Sequence, residues 1–98
     1  MFFGGKAMQV NIYSALRKFM GEKSLEIAVE RSLTVRGLID EVVYSHPELE
    51  SKLLDESDQI QTHIHVYVNG RDTIYLNQGT ATQVSTQDKV DIFPHGHF

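Results

Sequence analysis

The sequence has no cysteine. That single absence removes disulfide staples, thiolate metal sites and a cysteine nucleophile. A basic excess is missing as well: 9 Lys and Arg stand against 13 Asp and Glu, for a net charge of −4. A nucleic-acid binder would carry the opposite footprint. No apolar run approaches the roughly 20 residues that span a bilayer. The opening MFFGGKA has two consecutive large apolar residues and one lysine, too little for a secretory signal. Low-complexity tracts and internal repeats are also missing. Against these gaps stands an ordinary globular composition, 41% apolar and 22% charged, which argues against disorder. Ninety-eight residues hold one domain, and a chain of this size removes only about 60–65% of its unfolded surface from water. A soluble cytoplasmic protein with no nucleic-acid or membrane partner is expected.

What is present is periodicity. Residues 1–7 read as a leader or tag remnant. From there Met8, Val10 and Ile12 alternate with Gln9, Asn11 and Tyr13, a strand with one buried face. Ser14–Met20 reads as a helical turn closed by Gly21. Leu25, Ile27 and Val29 then alternate with Glu26, Ala28 and Glu30, a second strand close enough to make an antiparallel hairpin. Thr34 is placed to cap a helix whose Val35, Leu38, Ile39, Val42 and Val43 form one apolar stripe. His46-Pro47 ends that helix, and Pro47 can open a short second one through Leu54.

The rest alternates loop and strand. Asp55–Thr62 is a polar loop whose Asp55, Glu56 and Asp58 read as a solvated cap in preference to a metal site. His63–Asn69 is a strand with Ile64, Val66 and Val68 inward and His63, His65 and Tyr67 outward. Asn69-Gly70 is a turn, Thr73–Leu76 a short strand, 77–86 irregular, and Lys89–Phe93 the last strand with Val90 and Ile92 inward. Residues 8–94 make the domain, and 95–98 a flexible tail. One helix stripe and one covered sheet face give an α+β two-layer sandwich. If the first and last strands pair in parallel, the helix crosses a mixed sheet in the β-grasp, ubiquitin-like arrangement.

Two constellations follow from strand parity. Tyr13, Tyr67 and Phe93 all face away from the helix on neighbouring strands and should form one aromatic patch. That is either a partner-docking surface or cross-strand stacking on a wet face. His63 and His65 should meet His95 and His97 at one corner. Four imidazoles suit Zn²⁺, Cu²⁺ or Ni²⁺; the alternative is four unrelated surface histidines. No catalytic acid–base pair or triad stands out, so a stand-alone enzyme is not expected.

Five stretches, in order, resemble the MoaD/ThiS family of ubiquitin-like sulfur carriers, the family of the molybdopterin synthase small subunit: Ile12–Arg17, Leu33–Ile39, His46–Leu49, Val68–Asp72 and Asp88–Pro94. The resemblance implies a carrier with no cofactor of its own. A MoeB/ThiF-like activating enzyme would use ATP to adenylate the C-terminal carboxylate, and sulfur would then replace AMP. The thiocarboxylate would serve cofactor or thio-metabolite biosynthesis; a synthase large subunit is a further implied partner. The patch Tyr13, Tyr67 and Phe93 would be the docking surface. The family ends in Gly-Gly, whereas this sequence ends His95-Gly96-His97-Phe98. Three readings remain open: a metalloprotease trims His97-Phe98 and exposes Gly96, the Phe98 carboxylate is used intact, or the chain is a non-catalytic β-grasp interaction module, with or without a metal at the histidines.

Overall fold

The computed structural model describes residues 6–29 and 32–95. The strands are β1 (Lys6–Ile12), β2 (Ser24–Val29), β3 (Leu33–Thr34), β4 (Ile64–Val68), β5 (Arg71–Asp72), β6 (Gln83–Val84) and β7 (Val90–Pro94). The helices are α1 (Ala15–Met20), α2 (Val35–Ser45) and α3 (Glu50–Leu53), with a 3₁₀ turn, Pro47–Leu49, between the last two. A five-stranded sheet runs β2-β1-β7-β4-β5. β1 pairs with β7 in parallel, Val10 opposite Val90, and all other pairs in the sheet are antiparallel. This is the β-grasp arrangement, with α2 covering one face.

The helix forms because its apolar residues recur at helical spacing and its first turn is capped. Thr34 Oγ1 accepts the Gly37 N–H at 2.9 Å, satisfying a donor that has no partner within the helix. Val35, Leu38, Ile39 and Val42 are fully buried. They pack against the inward row of the sheet, which includes Val10, Ile27, Val66 and Ile92. Each such side chain contributes about 1.5–3 kcal/mol over leaving it in water. His46 leaves the helical region at φ −133° before Pro47, as the residue before proline must.

Four departures from the sequence reading exceed a one-residue shift at an element's end. β1 begins at Lys6, opposite Val29, so two residues assigned to the leader belong to the sheet; Met1–Gly5 lie outside the described residues. The expected helix from Pro47 to Leu54 is a 3₁₀ turn followed by the four-residue α3. The short strand expected at Thr73–Leu76 is instead β5, two residues earlier, and Thr73–Tyr75 is 3₁₀. The cause is Asp72, whose side chain accepts the Ile74 N–H at 3.1 Å and so caps a helical turn where the strand would have continued. Within the stretch read as irregular, β6 pairs with β3 in a second, two-stranded sheet.

Candidate functional site

The uncovered face of the sheet carries the aromatic patch. Tyr13 follows β1, Phe93 lies on β7 and Tyr67 on β4. The Tyr13 and Phe93 rings stack with centroids 4.1 Å apart and planes 5° from parallel. Tyr67 meets Phe93 edge-on at 5.1 Å, a favoured arrangement for aromatic quadrupoles. The three are half-buried by one another, less exposed than parity alone suggested. On the far side of Tyr13 the Arg17 guanidinium stands 4.5 Å from the ring centroid, held there by its Nε donating to the Ile12 carbonyl at 2.6 Å.

Under the patch lies a residue that the sequence reading passed over. Asp91 is 4% exposed although it points to the uncovered face. It accepts the Tyr13 hydroxyl and the Asn11 amide, each at 2.9 Å, and Lys89 Nζ stands 3.9 Å away. These contacts fix Tyr13 flat on Phe93. The bond to Asp91, followed by burial and the carboxylate's charge, raises the Tyr13 pKa above its ordinary value, against the opposing pull of Arg17. The available signal was parity: Asn11, Tyr13, Asp91 and Phe93 share one face of two adjacent strands.

The histidines come together only in part. The His65 and His95 rings are 4.4 Å apart, and His95 also faces Tyr67 at 6.5 Å. His65 Nδ1 lies 2.7 Å from Asp72 Oδ2. Asp72, 6% exposed, is therefore a second carboxylate beneath the face, at its other flank. His63 precedes β4 in a turn and lines a cavity of about 270 Å³ with Leu16, Lys52 and Pro94; its carbonyl accepts the His95 N–H at 2.6 Å. His97 lies outside the described residues, among which no group of three or more His, Asp or Glu is placed to hold a metal. The acidic loop is a cap, as read: Asp55 accepts the N–H groups of Ser57 and Gln59, and Asp58 pairs with Arg36 at 3.3 Å.

β7 ends beside this face. Pro94, opposite Ile64, closes the ladder where its missing N–H is tolerated. His95, exposed, is the last described residue; the expected tail residues Gly96, His97 and Phe98 lie beyond it. Among the described residues no helix is long and apolar enough to cross a membrane.

Comparison with known proteins gives a consistent picture. The ThiS family model matches residues 10–96. Small archaeal modifier protein 1 of Haloferax volcanii is 28% identical over 87 residues, covering 89% of this chain and 94% of its own. The crystal structure of that organism's SAMP1 superposes with a TM-score of 0.80 at 22% identity, covering 95% of this chain and 99% of the other. A chain of the Amycolatopsis orientalis BexX/CysO complex is 31% identical, with a TM-score of 0.73, and covers 94% and 99%.

Proposed function

The chain belongs to the ThiS family of ubiquitin-like sulfur carriers, and from that premise we propose that it is a cytoplasmic carrier, not itself an enzyme, whose C-terminal carboxylate is charged by a MoeB/ThiF-like activating enzyme. The carboxylate attacks the α-phosphorus of ATP and releases pyrophosphate. A sulfide-level nucleophile (hydrosulfide) then attacks the acyl carbon and displaces AMP, leaving a thiocarboxylate for cofactor or thio-metabolite synthesis. Trimming of His97-Phe98 by a metalloprotease makes Gly96 the charged residue, since a carbonyl without a neighbouring Cβ is open to attack and fits a narrow channel.

The observation that carries this reading is the continuity between patch and tail. Phe93 belongs to the aromatic patch, and two residues later His95 packs on Tyr67 and His65 at the point where the chain leaves the sheet. A partner gripping the patch therefore has the tail in reach. The solved BexX/CysO complex shows a 31% identical relative bound to another protein.

Intact mass tests the proposal. After expression beside its native genomic neighbours, the protein should lose His97-Phe98 and gain the mass of one oxygen exchanged for sulfur. A second reading is a β-grasp interaction module without carrier chemistry. An unmodified terminus, together with no ATP–pyrophosphate exchange by any cognate activating enzyme, would establish that alternative instead.

A further inference from the structure

His65 is held by a buried carboxylate and faces a second imidazole. Asp72 is 6% exposed. Its Oδ1 accepts the Ile74 N–H at 3.1 Å, which fixes the carboxylate, and its Oδ2 lies 2.7 Å from His65 Nδ1. A carboxylate only accepts hydrogen bonds, so Nδ1 carries the proton. The lone pair of the neutral ring then falls on Nε2, the nitrogen remote from Asp72. Histidines that ligate metals are oriented in this way, one ring nitrogen donating to a carboxylate and the other made more basic. The second imidazole belongs to His95. The two ring centroids are 4.4 Å apart and the planes tilted by 48°. The sheet brings them together: β4 and β7 are antiparallel with His65 opposite Phe93, so His95 lies diagonally across from His65 on the same face. The His95 backbone N–H is tied to the His63 carbonyl at 2.6 Å, while its side chain is exposed and turns at little cost. Two nitrogens on one tetrahedral ion, each about 2.0–2.1 Å from it, stand about 3.3 Å apart. Rings this close reach that separation.

We propose that His65 and His95 bind one late first-row divalent ion, Zn²⁺, Ni²⁺ or Cu²⁺, with water in the remaining positions and Asp72 orienting His65. Imidazole favours these ions over Mg²⁺ and Ca²⁺, which take oxygen ligands, and Cu²⁺ should bind most tightly. The site is smaller than the four-histidine cluster expected from the sequence. His63 takes no part in it, since that residue lines the cavity beside Leu16 and Lys52. The ion ties the first residue beyond β7 to β4, at the point where the chain leaves the sheet. It needs neither an activating enzyme nor a charged tail to bind.

Titration of the full chain with Zn²⁺ and with Cu²⁺ at neutral pH tests the site, with Mg²⁺ as the control. Calorimetry should show one ion bound per chain, Cu²⁺ more tightly than Zn²⁺, and no heat from Mg²⁺. Zn²⁺ should shift the NMR signals of the His65 and His95 rings ahead of those of His46 and His63. It should also raise the thermal midpoint, as a ligand of the folded state does. His65→Ala and His95→Ala should each abolish saturable binding and the rise in midpoint; the second, at an exposed position, leaves the core untouched. His63→Ala should leave binding unchanged. Asp72→Asn, which keeps an oxygen for the Ile74 N–H, should weaken binding by about 10–100-fold and leave the metal-free midpoint nearly where it was. No heat above dilution, binding that survives His65→Ala or His95→Ala, or loss of binding in His63→Ala would overturn the proposal. Full affinity in Asp72→Asn would refute the orienting role of the carboxylate.

Discussion

Ser14 turns the chain from β1 into α1 with φ 53° and ψ −127°, and the Leu16 N–H closes the turn on the Tyr13 carbonyl at 3.1 Å. That geometry is the first central position of a type II′ turn, where glycine is the natural occupant. Ser14→Gly should raise stability by about 1 kcal/mol through relief of that strain, read as a higher urea midpoint at unchanged slope. The neighbouring Tyr13 gives a second prediction. Because its pKa is raised by the bond to Asp91, the fold favours the protonated phenol. This contribution to stability is whole below the ordinary tyrosine value of 10.0 and is lost as pH climbs through the raised one. Spectrophotometric titration should show Tyr13 ionising above its ordinary value, as a late phase that Tyr13→Phe deletes; a late phase left unchanged by removing that tyrosine would contradict the hydrogen bond.

Among the elements, α2 depends on a single cap at its start. Thr34→Ala removes the acceptor for the Gly37 N–H and should cost about 1 kcal/mol, measured as a lower thermal midpoint; Thr34→Ser should recover most of it. This helix was fully legible in the sequence, since cap, stripe and terminating proline all agree. The long strands were legible for the same reason, period-2 alternation over five or more residues. What escaped was too short to have a period. β3 and β6 are two residues each, and only the folded chain brings them together. The start of β5 was displaced because Asp72 serves two purposes at once, capping a 3₁₀ turn and holding His65, and neither use is visible in propensity. His63 shares parity with His65, but the strand starts one residue after it, so parity did not apply. The aromatic patch was legible as a set of residues; the carboxylate beneath it was not, because its burial depends on partners such as Asn11 and Tyr13 that lie some eighty positions away in the sequence.

For the molecule as a whole, the parallel pair β1–β7 at the centre of the sheet fixes everything around it. Ile92 is fully buried, opposite Ile12 on one side and Val66 on the other. Ile92→Ala should cost about 2–5 kcal/mol, a large share of the roughly 5–15 kcal/mol that holds a domain of this size together. Urea denaturation followed by circular dichroism should show the midpoint fall accordingly, and a loss below 1 kcal/mol would mean that the centre of the sheet repacks easily. The same pairing joins residues some eighty positions apart, which bears on how the protein is made. Until residues 90–94 have been synthesised, β1 has β2 beside it and nothing on its other edge, and the apolar stripe of α2 has only half a sheet to cover. A nascent chain in that state exposes an open strand edge of the kind that pairs with other chains, and that edge is closed only when β7 pairs between β1 and β4.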